Sequence, residues 1–539
     1  MLVRRIRANP RPWLPSSTRR LPWQLRLRAH STTSPLDFPQ TSTHASPLAA
    51  LTSDLDRLAP RIDINADQIE ILDGPTEFYE SLRSKIRRAR RRIYLSTLYI
   101  GKTENELIST IRDALLQQGS ELKVSILTDA LRGTREAPNP SCASLLASLV
   151  EEFPDRVEVR MYHTPNLTGL RKALIPKRIN EGWGLQHIKL YGIDDEVILS
   201  GANLSNDYFT NRQDRYHVFS SKRVADYFAR IHDAVCSISF LLRPRATPSK
   251  FTLEWPTSSP APNPLEAPKG YIEAATSLLL PFVKPASSQS PPTTSTSVYP
   301  VICHPPTINT ELPAFTALLA RHIVSYTFTA GYFNPHPVIT SSLLAASSLP
   351  ISAPGSILTA SPYANGFFGS KGISGLLPAA YTHLSLRFLQ AARGKNIQLR
   401  EWQRGIVGQQ NGWTYHAKGL WVTLQADLQQ GTSSSTSNKT SSELSTDFES
   451  KDPSTPAGPS VTLIGSSNYT TRSYGLDLEV GAIVVTKDEG LMRKLKREGE
   501  LLMSHTNLVK EEDLETKERK AGWKVRVAMW LVKVLGGAL

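Results

Sequence analysis

One pattern occurs twice along the chain, and it limits the possible folds more than any other feature. The first copy is GLQHIKLYGIDDEVILSGANLSNDYF (184–209). The second is TYHAKGLWVTL (414–424), followed after a Ser/Thr-rich interruption by VTLIGSSNYTTRSYGLDLEV (461–480). In both copies a His and a Lys stand two apart in an apolar, β-prone run, so both side chains project from one face of a strand. The duplication predicts an α/β fold of two similar halves, each a mixed β-sheet flanked by helices, sharing one active-site cleft.

The copies also match downstream of the His and the Lys. Each supplies four polar residues in one order: His, Lys, Asn, and an acid eleven residues after the Asn. The first set is His187, Lys189, Asn203 and Asp214, and the second is His416, Lys418, Asn468 and Glu479. A single HxK pattern is more often a polar strand edge, because buried cations cost free energy unless an anion meets them. Two such patterns, each followed by the same residues, indicate a functional site.

These residue types suit a site for a phosphate group. The lysine ammonium groups and the donors of Asn203, Ser466 and Asn468 can bind non-bridging oxygens. One neutral histidine can attack phosphorus, while the other gives a proton to the leaving group and later takes one from the incoming hydroxyl. We assign Asp214 and Glu479 as the carboxylates that orient the two imidazoles. This chemistry requires no metal and no cofactor, and the three cysteines show no metal-ligand spacing.

The motifs resemble those of the phospholipase D superfamily, whose signature is HxK, four residues, Asp, and a GSxN-like turn. The first copy ends in Asp194 and SGAN, and the second has GSSN but Thr423 in place of the Asp. The resemblance implies a fold of two phospholipase D-like halves and a catalytic set that includes Asp194. However, Asp194 lies seven residues from His187, an odd offset that points it to the other face of the strand, where it would support the hairpin turn.

Around the first motif, the run LIPKRINEGWGLQHIKLYGIDDEVILSGANLSNDYFTNRQDRY (174–216) resembles the branch of this superfamily that makes phosphatidylglycerophosphate in eukaryotic mitochondria. That resemblance implies transfer of a phosphatidyl group from CDP-diacylglycerol to glycerol 3-phosphate. Because the first motif retains its Asp194, we assign His187 as the nucleophile and His416 as the general acid and then base. Two alternatives stay open: a phosphodiesterase that cleaves lipids or nucleic acid, and a catalytically weak lipid-binding protein. Retention of both His–Lys pairs argues against the second.

The N-terminus differs in composition from everything that follows. Residues 1–36 contain eight Arg, no Lys and no acid, which is typical of a mitochondrial transit peptide. Removing those eight charges from the net charge of +14 leaves +6 for the rest, so nucleic acid is not an expected partner. We therefore expect a mitochondrial protein, attached peripherally to the matrix side of the inner membrane, where its lipid substrate would be found.

Composition also predicts the domain boundaries. Residues 37–61 read as a linker, 62–243 as the first half, 244–305 as a Pro/Ser/Thr-rich connection, and 306–505 as the second half. Residues 429–460 read as a disordered insertion in the second half, and their removal is expected to leave activity nearly intact. Residues 506–539 read as a basic segment that could lie in a membrane interface.

Overall fold

The computed structural model describes residues 46–177, 179–285, 291–320, 323–347, 353–424, 457–523, 525–527 and 529. All of them belong to one compact unit, His44–Leu539. The predicted transit peptide (1–36) lies outside the described residues, as does most of the predicted insertion (429–460).

Within the described ranges, helices and strands alternate along most of the chain. The helices are α1 Pro47–Asp56, α2 Pro75–Arg88, α3 Asn105–Gln117, α4 Ala130–Gly133, α5 Cys142–Glu152, α6 Gly169–Leu174, α7 Asn206–Thr210, α8 Lys222–Ser237, α9 Pro268–Val283, α10 Glu311–Leu318, α11 Pro337–Ala346, α12 Leu377–Ala391, α13 Thr471–Gly475, α14 Glu489–Met503 and α15 Glu511–Leu514. None of these helices is both long enough and apolar enough to cross a membrane.

The strands of the described ranges are β1 Ile62–Ile64, β2 Ile69–Leu72, β3 Arg92–Ser96, β4 Lys123–Asp129, β5 Val157–Tyr162, β6 Leu190–Ile193, β7 Glu196–Ser200, β8 Arg212–Gln213, β9 Tyr216–Phe219, β10 Phe240–Pro244, β11 Phe251–Glu254, β12 Thr296–His304, β13 Ile308–Asn309, β14 Ile323–Ala330, β15 Gly355–Ala360, β16 Ile397–Trp402, β17 Thr414–Tyr415, β18 Lys418–Leu424, β19 Val461–Gly465, β20 Glu479–Thr486 and β21 Thr506–Val509.

Two large mixed sheets repeat one six-strand arrangement. The first sheet has the order β11-β10-β5-β4-β3-β6-β7-β9-β2, and the second has β1-β12-β20-β19-β18-β14-β15-β16-β21, with β13 pairing to β12. The run β5-β4-β3-β6-β7-β9 therefore corresponds to β16-β15-β14-β18-β19-β20. Parallel and antiparallel pairings agree throughout: β3–β4 and β14–β15 are parallel, while β3–β6 and β14–β18 are antiparallel. The predicted fold of two similar α/β halves is confirmed.

The packing forms alternating layers of helices and sheets. Helices α2, α3 and α5 cover the outer face of the first sheet, and α1, α10 and α11 cover the outer face of the second. Helices α8, α9 and α14 lie between the two sheets in a core to which both halves contribute. The helices of these layers bury one apolar face, as Phe78, Leu82 and Ile86 of α2 illustrate with their spacing of four residues. The central layer fixes the position of one half against the other.

Several predicted boundaries are wrong. The predicted linker 37–61 contains α1, whose buried leucines pack in the second half, and the first-half strand β1 pairs with β12 of the second sheet. The predicted connection 244–305 contains β11, α9 and the wholly buried strand β12. These segments were predicted as linkers from their Ser and Thr content, but Thr is common in strands as well as in surface linkers. In the predicted C-terminal segment, β21 pairs with β16, and Ala521 and Val525 pack against Ala380.

Candidate active site

The two HxK segments enter their sheets at corresponding places. His187 and Lys189 immediately precede β6, and His416 precedes β18, whose first residue is Lys418. Because β6 and β18 occupy the same place in the repeated arrangement, the two segments lie at matching edges of the two sheets. Backbone hydrogen bonds then join each segment to the opposite half: the His187 N–H donates to the Leu478 carbonyl, and the His416 N–H to the Gln213 carbonyl, both at 2.8 Å.

Each histidine is hydrogen-bonded to the carboxylate of the other half. Nδ1 of His187 lies 3.0 Å from both carboxylate oxygens of Glu479. Nδ1 of His416 lies 2.6 Å from Oδ2 of Asp214. Ser466 donates its hydroxyl to Glu479 at 2.5 Å and so adds a second partner to that carboxylate. The arrangement fixes both rings through Nδ1, and each Nε2 is the nitrogen left for chemistry.

The two lysines are buried beside the histidines. Lys189 donates to the backbone carbonyl of His187 at 2.7 Å, and Lys418 donates to that of His416 at 2.8 Å. Lys418 also lies 3.4 Å from Asp214. Burial lowers the pKa of Lys189 well below its usual value, and it also lowers the pKa of Lys418, although Glu479 and Asp214 respectively oppose the effect. The Lys418 ammonium further lowers the pKa of Lys189, so the lysines of the two halves lie close enough to interact.

Both imidazoles are neutral near pH 7. Burial lowers the pKa of His187 well below its usual value, and the neighbouring Lys189 ammonium lowers it further. Burial and Lys418 lower the pKa of His416 to about 3, against the opposing influence of its carboxylate partner. A neutral imidazole has a lone pair available, so either ring can act as a nucleophile or a base in this state.

The two carboxylates differ in charge near neutrality. Burial raises the pKa of Glu479 to about 7, even though Lys189 and Ser466 oppose the shift. Burial acts in the same direction on Asp214, but Lys418 and the hydrogen bond with His416 outweigh it and lower the pKa of that carboxyl. Asp214 is therefore ionised throughout the neutral range, whereas Glu479 titrates within it.

The residues predicted to bind phosphate have different surroundings. Asn203 is buried and donates to the Tyr208 hydroxyl at 3.1 Å, while its Oδ1 has no hydrogen-bond partner among the described residues. Asn468 is half-buried in the turn after β19, where its N–H donates to the Ser473 hydroxyl at 3.2 Å. Ser466 is held by Glu479. Binding of phosphate by these three residues stays a prediction.

Tyr208 is a site residue that the sequence reasoning missed. Its hydroxyl lies 3.3 Å from Nε2 of His416, and its ring meets the imidazole edge-on, with centroids 5.2 Å apart. Tyr332 meets the same imidazole edge-on at 5.4 Å. The position of Tyr208, five residues after Asn203 within the repeated stretch, was the available signal.

An ion pair occurs at the same two repeat positions in both halves, with its charges reversed. Four and nine residues after Asn203 stand Asp207 and Arg212, which pair at 2.8 Å. Four and nine residues after the second Asn stand Arg472 and Asp477, which pair at 3.1 Å. Arg212 lowers the pKa of His416, whereas Asp477 opposes the lowering at His187. The two ends of the site are therefore electrostatically different.

Asp194, which the resemblance placed in the catalytic set, is outside the site. It lies in the turn between β6 and β7 with φ of 51°, and its carboxylate accepts the backbone N–H groups of Arg90, Arg91 and Arg92 at 2.9, 2.9 and 3.1 Å. The length of β6 separates it from His187. Its contacts hold the hairpin against the segment that leads into β3, so the catalytic role is corrected to a structural one.

Comparisons with known proteins agree with this geometry. The family described as "Cardiolipin synthase, PLD-like domain" matches residues 82–235. The CDP-diacylglycerol–glycerol-3-phosphate 3-phosphatidyltransferase of Saccharomyces cerevisiae is 42% identical over 483 residues, covering 86% of this chain and 87% of the relative. The mitochondrial protein of that name from Homo sapiens is 33% identical, covering 96% and 91%. Phosphatidylserine synthase of Haemophilus influenzae shares the fold, with a TM-score of 0.66 at 19% identity, over 91% of this chain and 98% of that one.

Proposed function

The chain belongs to the CDP-diacylglycerol–glycerol-3-phosphate 3-phosphatidyltransferase family, and from this premise we propose how its site carries out the transfer. The enzyme moves the phosphatidyl group of CDP-diacylglycerol to glycerol 3-phosphate, giving phosphatidylglycerophosphate and CMP. We infer that the transfer takes two steps, with the phosphatidyl group held on a histidine between them.

The crosswise pairing of histidines and carboxylates is the observation that carries this proposal. Each imidazole is fixed through Nδ1 by a carboxylate of the other half, so both Nε2 atoms belong to one site. Two buried lysines adjoin them. A phosphate anion stabilises the charged form of such lysines, because it supplies the negative charge that burial otherwise denies them. A nucleophile, an acid–base group and two cations in one site are the groups needed to cleave a phosphodiester.

In the proposed first step, Nε2 of His187 attacks the phosphorus that carries the diacylglycerol. A nitrogen–phosphorus bond forms, and the bond from phosphorus to the oxygen of CMP breaks. CMP leaves as a phosphate, which needs little protonation. Where a proton is needed, His416 supplies it once the negative charge of the bound substrate has raised the pKa of its ring. Lys189 and Lys418 bind the non-bridging oxygens, on which charge increases in the transition state.

In the proposed second step, the primary hydroxyl of glycerol 3-phosphate attacks the same phosphorus. His416 removes the hydroxyl proton, the nitrogen–phosphorus bond breaks, and His187 returns to its neutral form. The low pKa of His416 in the free site keeps it in the basic form that this step requires. The ionised Asp214 stabilises the imidazolium that results.

The surroundings of the two Nε2 atoms, and not Asp194, support His187 as the nucleophile. The Nε2 atom of His416 faces the Tyr208 hydroxyl at 3.3 Å, which suits a group that gives and takes a proton. Within the described ranges, Nε2 of His187 has no hydrogen-bond partner, so its lone pair is free to attack phosphorus.

We infer that the enzyme acts in mitochondria, on the matrix side of the inner membrane. The relatives from Gallus gallus and Homo sapiens carry the word mitochondrial in their names, and residues 1–36 have the composition of a transit peptide. The lipid substrate supports peripheral attachment to that membrane.

Product analysis tests the reaction. Purified protein is incubated with CDP-diacylglycerol, with and without glycerol 3-phosphate, and CMP and lipid products are measured. We expect phosphatidylglycerophosphate and rapid CMP release only when glycerol 3-phosphate is present. Equal CMP release in its absence, with phosphatidic acid as product, would identify a hydrolase instead. No CMP under either condition would favour a lipid-binding role.

A trapping experiment tests the intermediate. CDP-diacylglycerol labelled in the lipid phosphate is mixed with protein lacking acceptor, quenched in alkaline denaturant to preserve a phosphorus–nitrogen bond, and mapped by peptide. We expect label on His187 and none in a His187→Ala variant. Label on His416 would reverse the assignment, and absence of label in every variant would favour direct displacement.

A further inference from the structure

Two loops leave the sheets at the edge that carries the catalytic residues. The first rim loop, residues 163–177 and 179–184, follows β5 and leads into His187. The second rim loop, residues 361–376, follows β15. Since β5 and β15 run parallel to the strands beside them, and β6 and β18 run antiparallel, both loops begin at the edge where the HxK segments lie. They border the site from different halves.

The first rim loop exposes apolar side chains among basic ones. Its helix α6 buries none of its residues, and Leu170 and Leu174 are 81% and 78% exposed. Arg171 and Lys172 lie between them and are also exposed. The sequence from 163 to 180 contains no Asp or Glu. Two leucines this exposed on one short helix, without an acid nearby, are unusual for a surface that meets only water.

The second rim loop also exposes apolar side chains, and it is connected to His416 through Tyr332. Tyr363 and Phe368 are exposed large side chains of this loop. The neighbouring Phe367 packs on Tyr332, which in turn meets the His416 imidazole. From 312 to 400 the sequence contains no Asp or Glu. An approaching anionic surface would therefore meet no repelling carboxylate from this loop.

We propose that the two rim loops are the surface by which the enzyme docks on an anionic phospholipid bilayer. The leucines of α6 lie among the ends of the acyl chains nearest the headgroups, and Arg171 and Lys172 lie at the level of the lipid phosphates. This inference rests on the proposed function, because a lipid substrate must bring its phosphate to two nearly buried histidines. Docking at the rim lets the phosphate enter while the acyl chains stay in the membrane.

Vesicle binding of the full chain, measured by sedimentation without any substrate, tests the proposal. Vesicles of phosphatidylcholine are compared with vesicles that also contain phosphatidylserine. We expect Leu170→Ser combined with Leu174→Ser to weaken binding by about tenfold or more, because two apolar side chains no longer enter the interface. Arg171→Gln with Lys172→Gln should weaken binding to the anionic vesicles by about tenfold or more and leave phosphatidylcholine binding unchanged. Leu116→Ser on α3, where the leucine is 63% exposed, is the matched control and should bind normally.

The docking result is separable from the proposed reaction. We expect the leucine variant to keep its transferase rate on substrate dispersed in detergent micelles, where no bilayer is needed. Unchanged vesicle binding by the leucine variant would overturn the proposal, as would an equal loss in the Leu116→Ser control. Light scattering provides a further check: a leucine variant that changes only the oligomeric state would show that the loops bind a second copy. Vesicle binding that depends on the loops would support docking even if the micelle assay showed no transfer.

Discussion

Replacing Asp214 by Asn is expected to lower the transferase rate by about 10²–10⁴-fold. The substitution removes a charged acceptor from His416 at 2.6 Å and from Lys418 at 3.4 Å. Hydrogen bonds to charged groups contribute about 1.5–3 kcal/mol each, so two of them correspond to about 3–6 kcal/mol. Each factor of ten in rate is about 1.4 kcal/mol. Because the pKa of Asp214 is lowered, the loss should be constant from pH 6 to pH 8.

Replacing Glu479 by Gln should have a pH-dependent effect. The pKa of this carboxyl is raised to about 7, so below that pH it is already neutral and the amide resembles it. Above pH 7 the carboxylate is charged, and the substitution removes that charge from His187. The ratio of the unaltered rate to the variant rate should therefore increase as pH rises from 6 to 8.

Because each carboxylate orients the histidine of the other half, the Asp214 and Glu479 variants should slow different steps of the reaction. Asp214 orients the proposed base His416, so Asp214→Asn should slow consumption of the phosphatidyl-enzyme and let labelled protein accumulate. Glu479 orients the proposed nucleophile His187, so Glu479→Gln should slow its formation and leave little label. The assay is the trapping experiment in rapid-quench form, with addition of glycerol 3-phosphate as a chase. Glu489→Gln, on the exposed face of α14, serves as the carboxyl-to-amide control. The opposite pattern of labelling would refute the reasoning from the crosswise contacts.

Three further predictions test other contacts. Glu498→Gln should destabilise the fold by about 3–5 kcal/mol, because it leaves the buried Arg215 guanidinium without its carboxylate partner at 2.8 Å. Denaturant unfolding would check this, and a loss of under about 1 kcal/mol would contradict it. Since the pKa of Glu498 is lowered, this stability is present at neutral pH and is lost as pH falls below about 4. Tyr208→Phe should lower the rate by about 2- to 10-fold, because the hydroxyl beside His416 is lost, and should leave CMP affinity unchanged. An unchanged rate would exclude Tyr208 from proton transfer. CMP binding at pH 8 should be accompanied by uptake of about one proton, because the bound anion raises the pKa values of the site lysines and histidines, which burial lowers. Calorimetry in buffers of different ionisation enthalpy measures the proton uptake. Proton release on binding would contradict the prediction.

Periodicity and repeat spacing were enough to predict the two α/β halves and the polar residues of the site. Strand period placed each His and Lys on one face, and the offset of eleven residues from Asn203 and from Asn468 identified Asp214 and Glu479. The offset could not say which histidine each acid would meet. That choice depends on how the halves pack, and the contacts span 292 residues for one pair and 202 for the other.

Features that depend on long-range packing were missed for the same reason. Strand β12 looked like a linker because the residues that precede it are rich in Ser, Thr and Pro, although Thr296 and Val298 suit a strand that is covered on both faces. The pair of Arg215 and Glu498 joins residues 283 apart, and no local pattern connects them. Local propensity therefore described the elements better than it described the boundaries between them.

The exchange of acids between the halves has a consequence for how such a chain could arise. A half-molecule standing alone has a histidine but lacks the carboxylate that reaches its Nδ1. Two identical copies related by a two-fold axis would each lend an acid to the other, and both histidines of the shared site would then have a carboxylate partner. Gene fusion of such a dimer would preserve the contacts while freeing each copy to diverge. The Asp207–Arg212 pair of one half is reversed as Arg472–Asp477 in the other, a difference that two joined halves can carry and two identical copies cannot.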